Sequence, residues 1–565
     1  MDGTVSVVCG PPLDDEPGLG ALTLPGFLRE VTEAYAEREA LVWPTADGVV
    51  RWTYTQLWDA AVAVAKSLRC CGAGKGTRVG VLMTNRPEWL AAVFGTALAG
   101  GVAVTLSTFS TAGELDHLLR ASGVSVLLAE RHVVSKDFAA MVSELEPAVA
   151  TARAGRLNSA RYPFLRRIVV VGAPSAGIQG WPEFVDLGAD EPDALVAATA
   201  AAVSASDPAV LFFSSGSTSS PKGILSAHRG VTIQMWRFCR MYGFSADDHV
   251  RGWTANGFFW SGNFAMVLGS TLASGGCLVL QSTFDAQAAL ELMAGERVNF
   301  PFAWPHQWAQ LQAAPNWDRV DLAAMRFVDA TTPLARHRTV AVDWHEPGHA
   351  YGNTETFTIT TGYPANTAPE VHAESSGAVL PGATVKIVDP QTGQVVERGT
   401  SGEIRVKGPT LMLGYVGIPL DATLDAEGFF PTGDGGYLDD QGRLYWQGRL
   451  TDIIKTGGAN VSPREVDDVL ATHPDVKITQ TVGVAHPTLG ETVVACIVAR
   501  DGAAPEEAEL RAFVRSRLAS YKVPRHVLFF AEHEVVLTGN AKIKTGELRR
   551  LATRRLAGAL ETPAR

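Results

Sequence analysis

An α/β architecture spread over more than one domain is what this sequence predicts, on three observations. Short apolar runs alternate with longer helical patterns over the first two thirds of the chain. After about Gly377 the texture turns rich in hairpins. The 565 residues also exceed what one hydrophobic core usually covers.

Taken in order, Arg78–Met83 reads as a buried strand and Glu88–Ala99 as a helix. Further strands are expected at Val124–Ala129, Arg167–Val171, Ala209–Phe213 and Cys277–Gln281, with helices between several of them. That alternation predicts parallel sheets buried on both faces. Trp89 to Leu106 is the most apolar stretch, but Thr96, Gly100, Gly101 and Thr105 interrupt it. A buried helix followed by a strand suits it better than a membrane span. Past Gly377, Ala383–Val388, a turn at Asp389–Gly393 and Gly402–Lys407 predict an antiparallel segment, with a further turn at Asp439–Gly442. A smaller unit begins past Arg449. Ser462, Pro463 and Glu465 there predict a helix start with a capping box. A strand at Val493–Val498, a helix near Glu506–Leu518 and a strand at Val527–Phe530 follow, and the last dozen residues are expected to fray.

Composition excludes several classes. Apolar residues make up 46% and charged residues 19%, which rejects disorder for the bulk of the chain. A net charge of -11 with no dense basic run argues against a nucleic-acid partner. The N-terminus lacks a basic region followed by a long apolar one, so no signal peptide is expected. The six scattered cysteines form no CxxC pair and read as reduced, mostly buried thiols of a cytoplasmic protein.

The segment Leu211–Gly223 (LFFSSGSTSSPKG) carries the strongest chemical signal. An expected strand ends in a loop with six hydroxyl residues, two glycines and Lys222. Backbone N–H groups, hydroxyls and one cation are what a polyphosphate needs. The bland alternative is a flexible serine-rich linker, although linkers do not usually follow a buried strand directly. GxxxxGK[ST] is absent, so this is not a Walker loop. Gly72–Thr77 contains a lysine before a strand rather than after one, the wrong context for a P-loop. His345-Glu346-Pro347-Gly348-His349 matches HExxH, but Pro and Gly oppose the helix that would align both histidines.

The loop resembles the phosphate loop of the adenylate-forming superfamily, which comprises acyl-CoA synthetases, peptide-synthetase adenylation domains and luciferase. Matches continue in order. Tyr351–Glu355 (YGNTE) resembles YGxTE, Thr432-Gly433-Asp434 resembles TGD, and Gly448–Asp452 resembles GRxxD. Gly457-Gly458 belongs to a glycine loop, and Tyr521–Pro524 and Thr538–Lys542 resemble YKVP and TxxGK. The resemblance covers roughly residues 25 to 550.

It implies a large N-terminal domain, residues 1–451, of parallel-rich αβ subdomains with a small β-barrel-like part. A small mobile α+β C-terminal domain, residues 452–565, carries the catalytic lysine. It further implies an enzyme that activates a carboxylic acid as acyl-AMP with ATP and Mg²⁺, then transfers it to coenzyme A. A carrier protein or an amine remains an alternative acceptor, and a non-catalytic nucleotide binder a third reading. An integral membrane segment is not expected, and a homodimer is compatible.

By the same resemblance, Ser214, Ser215, Gly216, Ser217, Thr218 and Lys222 hold the phosphates. Tyr351, with Gly352 and Asn353, meets adenine, although a tyrosine alone reads as core. Thr354 donates to the α-phosphate and Glu355 holds Mg²⁺ through carboxylate oxygen. Asp434 and Arg449 reach the ribose; alone they read as a turn and a surface ion pair. Lys542 stabilises charge building in the adenylation transition state. Asp452 is the hinge, and Gly457 and Gly458 shape the channel for the thiol co-substrate. Trp260, Asn263, Phe264 and Thr331 line the acid pocket, where no aspartate stands to meet a substrate ammonium. An apolar acid, fatty or ring-bearing, is therefore expected. The chain departs from the family pattern at Ser219, at Thr331-Thr332-Pro333 (a strand end near the acid pocket in many members) and at Ala541.

Overall fold

Strands rich in Val, Leu and Ala with no exposed position cannot sit at a surface, and the chain buries them between helices. The computed structural model describes residues 5–153, 155–214, 221–452, 454–456, 459–518, 522–535 and 543–560. They form two compact units: Cys9–Thr384 with Val406–Phe430, and the remainder.

The larger unit contains an eight-stranded sheet. Its order is Gln179–Gly180, Arg167–Val171, Val126–Glu130, Arg78–Leu82, Val102–Thr105, Pro208–Ser214, Lys222–Ala227 and Gly414–Tyr415. The first six strands run parallel, Lys222–Ala227 runs against them, and Gly414–Tyr415 pairs antiparallel with Lys222–Ala227. Val102–Thr105 and Val126–Glu130 are buried throughout, as expected for strands covered on both faces. A second sheet orders Phe300–Phe302, Arg251–Thr254, Cys277–Val279, Glu39–Thr45 and Gly48–Thr53, parallel except for the last hairpin. Helix Pro87–Leu98 is buried at every position but Glu88. It is followed by strand Val102–Thr105, so the most apolar stretch is a core helix and a strand. Among the described residues, no helix is long and apolar enough to cross a membrane.

The other unit holds a five-stranded sheet ordered Val7–Cys9, Thr384–Val388, Gly402–Lys407, Phe430–Leu438 and Leu444–Arg449. It also holds a sheet of Ala459–Val461, Ile454–Thr456, Gly490–Ala499 and Val476–His486, with His526–Phe529 parallel to Gly490–Ala499. Strand Gly490–Ala499 shows why two helical layers are needed. Val493, Ala495 and Ile497 join one apolar cluster with Leu470 and Leu510, whereas Val494, Cys496 and Val498 join another with Leu548 and Ala552. Side chains alternate between faces, so a strand apolar at both must be covered on both.

Four local expectations are corrected. Helix Pro463–Ala471 begins as predicted, but Ser462 makes no side-chain cap. Its hydroxyl donates to Gln447 O, and Glu465 pairs with Lys522 Nζ at 2.6 Å. Helix Thr545–Leu560 continues through residues 554–560, against the fraying expected there, while 561–565 lie outside the described residues. The six cysteines are free, but only Cys277 and Cys496 are buried. Thr331 stands in a turn ahead of the 3₁₀ turn Leu334–Arg336 rather than at a strand end.

Candidate active site

The larger unit brings three of the expected residues together through strand register. Ser214, the last residue of its strand, lies opposite Lys222. Two residues beyond Lys222, Ile224 lies opposite Tyr415 in the next antiparallel strand. Lys222 Nζ consequently sits 5.2 Å from the centroid of the Tyr415 ring, and the Tyr415 hydroxyl donates to Glu355 Oε1 at 2.7 Å. A cation over an aromatic face and a hydroxyl on a carboxylate are both favourable, the second being charge-assisted. One ring thus holds a lysine and a glutamate contributed by two separate motifs.

Glu355 is placed by a strained turn. Asn353 caps the 3₁₀ turn Thr354–Thr356: its Oδ1 accepts from Thr356 N at 3.0 Å, and Asn353 N donates to Thr356 Oγ1 at 3.1 Å. The next two residues, Phe357 and Thr358, have φ of 48° and 91°. Such conformations in non-glycine residues cost of order 1–3 kcal/mol each and persist only when the surroundings over-determine them. Here Phe357 is fully buried against Phe212 and Phe264. The carboxamide of Gln234, buried in helix His228–Met241, donates to Ile359 O at 2.7 Å and Thr356 O at 3.4 Å. Gly352 is required, because a Cβ there would collide with the Thr358 carbonyl. Met412 N donates to Glu355 O at 2.7 Å, fixing the turn to the segment that carries Tyr415. Tyr351 is 5% exposed and bridges Thr361 through its backbone.

The expected acid-pocket segment is irregular in an informative way. Ser261–Asn263 is helical, Phe264–Gly269 widens into a π-helical turn, and Ser270–Ala273 returns to α. Such widened turns are frequent at functional sites. Trp260 caps this helix, half-buried, with Phe259 against it. Asn263 is buried and ties the loop, donating to Gly257 O at 3.3 Å. Phe264 is fully buried against Trp89 and Phe212. Thr331 is exposed, and its N–H donates to Asp329 Oδ1 at 2.8 Å.

In the other unit Asp434 and Arg449 are direct cross-strand neighbours. Arg449 Nε lies 3.0 Å from Asp434 Oδ1, with the Asp434 side chain 4% exposed and that of Arg449 50%. Arg449 also donates to Thr432 O at 2.8 Å. Asp452 follows directly, its N–H donating to Arg449 O. Ser215, Gly216, Ser217, Thr218, Gly457, Gly458 and Lys542 lie outside the described residues. The HExxH segment is not helical, and its histidines go separate ways: His349 to Ser375 O and the His372 ring, His345 towards Asp329. His473, Asp475 and Glu509 bring potential metal ligands together, but both His473 nitrogens are engaged, by Asp475 N and by Glu509.

The family model described as AMP-binding enzyme matches residues 28–416, and that of the AMP-binding enzyme C-terminal domain matches 465–542. This chain belongs to the AMP-binding enzyme family. Within this adenylate-forming family it is an AMP-forming enzyme of the acyl-CoA synthetase group. YngI of Bacillus subtilis (strain 168), an acyl-CoA synthetase by name, is 31% identical over 538 residues, covering 93% of this chain and 96% of that one. The human mitochondrial medium-chain acyl-CoA ligase ACSF2 is 28% identical over 553 residues, covering 95% and 89%. Among solved structures, the amide bond synthetase McbA from Marinactinospora thermotolerans superposes with a TM-score of 0.71 at 26% identity, covering 94% and 99%.

Against this AMP-binding enzyme frame, sequence reading missed Tyr415 and Gln234. Tyr415 is a lone aromatic after Gly414, and only the register with Lys222–Ala227 brings it to Lys222 and Glu355. Gln234 lies in a helix where Val231, Met235 and Phe238 are buried beside it, but Arg237 on the next turn hides the signal.

Proposed function

We propose that this enzyme activates an apolar carboxylic acid as acyl-AMP with Mg-ATP and passes the acyl group to coenzyme A. The observation carrying this reading is the Lys222–Tyr415–Glu355 cluster, a fixed cation beside a fixed carboxylate at the end of a parallel sheet. Ligands of open α/β sheets bind beyond the carboxyl ends of the strands.

In this reading Lys222 meets the phosphates with Ser214, Ser215, Gly216, Ser217 and Thr218. Thr354 donates to the α-phosphate, and Tyr351, Gly352 and Asn353 form the adenine side. Glu355 suits Mg²⁺: it offers hard carboxylate oxygen, and the Tyr415 hydroxyl orients one of its two oxygens. That ion supplies charge neutralisation for the polyphosphate. Asp434, oriented by Arg449, accepts from the ribose hydroxyls. Trp260, Asn263, Phe264 and Thr331 belong to the acid side, with Asn263 and Phe264 shaping it from behind. We place the functional division at residues 451/452, with Asp452 as hinge, Lys542 delivered for adenylation, and Gly457 and Gly458 serving thiol transfer.

The name of ACSF2 supports a medium-chain acid, and those of YngI and ACSF2 support coenzyme A. The likeness to McbA favours an amine acceptor as the second reading. Mass spectrometry of reactions with Mg-ATP, coenzyme A and a panel of fatty, aryl and steroid-derived acids tests it. An ATP-dependent acyl-CoA mass is expected; AMP or acyl-AMP without a thioester would move the acceptor to an amine or carrier protein. Lys542→Ala is expected to lose about 10²–10³ in adenylation rate. It should still form thioester from supplied acyl-AMP, and equal loss of both half-reactions would sink the alternation of two poses.

A further inference from the structure

Large exposed apolar side chains are ordinary when they stand on mobile tips, and call for an explanation when the backbone around them is held. Phe109 is 60% exposed, yet its neighbours Thr108 and Ser110 are each 5% exposed. Lys136 Nζ donates to the carbonyls on both sides of it, Thr108 O at 3.1 Å and Ser110 O at 2.9 Å. Phe109 N donates to Ser107 Oγ at 3.2 Å. The clamp presents the ring in one direction. It lies stacked over Trp260, centroids 6.0 Å apart with 21° between planes, and edge-on to Phe259 at 5.9 Å. Thr105, which leads into this loop, sets its hydroxyl 3.4 Å from both Leu211 O and Phe259 O. The loop is thereby braced to the strand entering the phosphate loop and to the segment carrying Trp260.

We infer that Phe109 is a specificity-determining residue: it closes the open face of Trp260 as an end stop for the acid, and Lys136 is the positioning residue that holds it there. This rests on the acid-side role proposed for Trp260. Two rings 6.0 Å apart leave no room for a third plane between them, because stacked aromatic planes need about 3.5–4 Å each. An acid that reaches the pair must therefore end there or displace Phe109. Sequence reading could not find this residue, since it lies 151 positions before Trp260.

The test compares wild type, Phe109→Ala, Lys136→Met and Lys136→Arg on acids of graded width, from octanoate to a naphthyl-substituted and a steroid-derived acid. Two readouts are taken: kcat/KM for acyl-CoA or AMP formation, and equilibrium acid binding by titration calorimetry. Phe109→Ala is expected to shift the ratio of widest acid to octanoate at least tenfold towards the wide acid, with the KM for ATP unchanged. Lys136→Met should shift it the same way by less, and Lys136→Arg should restore it. An unchanged ratio in a wild type that turns acids over would overturn the end stop while leaving the reaction standing. Wild type that binds acids with a Phe109-dependent width preference but releases no AMP would support the end stop and sink the proposed reaction. Absence of acid binding by wild type and Phe109→Ala overturns both.

Discussion

The two units fix their candidate site residues by different means. In the larger one, Glu355 sits on a strained turn backed by layers of buried polar groups. Gln234 holds the turn's carbonyls, Arg237 stands 3.5 Å from the Gln234 oxygen, and Glu16 takes Arg237 in two hydrogen bonds of 2.9 and 2.7 Å. Glu16 and Arg237 are 0% and 1% exposed at the side chain. In the other unit, Asp434 and Arg449 are set by strand register and by the bonds each makes to Thr432, with the arginine half in solvent. Depth makes the first arrangement rigid and sensitive to single losses. An edge pair is worth less and tolerates more, because water replaces what a substitution removes.

Arg237→Leu should therefore produce the largest effect. Among the described residues it leaves the Glu16 carboxylate the half-buried Arg240 as its remaining charged partner. Breaking a buried pair this way costs about 3–5 kcal/mol. Denaturant unfolding should show that loss, and acid-dependent pyrophosphate exchange should fall as the Gln234 support loosens. Arg449→Ala should cost less than that, since only the Asp434 end of the pair is buried and water reaches the arginine end. Equal losses would erase the contrast between the units.

His228 sharpens the comparison through pH. Its ring is fully buried, Nδ1 accepts from Leu24 N at 3.2 Å, and burial lowers its pKa to about 4 despite Asp207. The unfolded chain protonates this histidine first, so stability is present above about pH 6.5 and lost as pH falls towards 4. The span corresponds to about 3 kcal/mol. His228→Asn keeps an acceptor for Leu24 N and does not titrate. Its unfolding midpoint should be flat across that window relative to wild type, as read by calorimetry. Parallel slopes for the two proteins would remove His228 from the account.

Tyr415→Phe tests the cluster itself. It removes the hydroxyl on Glu355 and keeps the ring under Lys222. A hydrogen bond to a charged group is worth about 1.5–3 kcal/mol, so adenylation should slow about tenfold to a hundredfold. A higher Mg²⁺ concentration for half-maximal rate should accompany the loss, since Glu355 is the proposed ligand. A rate within twofold of wild type would reduce the hydroxyl to packing.

How much of this was legible follows the same division. The strand at Arg167–Val171 agrees with its expected limits, and Pro208–Ser214 extends those expected by one residue at each end. Continuous apolar runs leave a buried strand few alternatives. Glu355 and Lys222 were visible as motif members, but the tyrosine joining them was not, because register across an antiparallel sheet is not written in local pattern. Phe264 was expected at the acid pocket and is packed against Trp89, Phe212 and Phe357, a distinction that needs tertiary packing. The capping box at Ser462 failed for a similar reason: Gln447 O and Lys522 outcompete the local partners. Local propensity predicts which bonds are available, and tertiary neighbours decide which are made.

A smaller pH effect lies in the other unit and has the opposite sign to that of His228. Asp467 is half-buried as a residue, yet its carboxylate is the enclosed end. Oδ1 accepts from Thr479 Oγ1 at 3.0 Å and Thr481 Oγ1 at 2.7 Å. Desolvation outweighs these bonds and raises its pKa to about 6. The folded state therefore holds the proton that the unfolded state has already released between about pH 4 and 6. Stability from this group is lost as pH rises through that window, where His228 in the larger unit gains. Asp467→Asn keeps an acceptor for the threonine hydroxyls and removes the charge. It should leave the unfolding midpoint unchanged near pH 4 and raise it above pH 6, by about 1 kcal/mol once rearranged hydrogen bonds are counted. Calorimetry at pH 4 and pH 8 reads the difference. A gain of the same size at both values would assign the effect to packing, and the opposed acid responses of the two units would not stand.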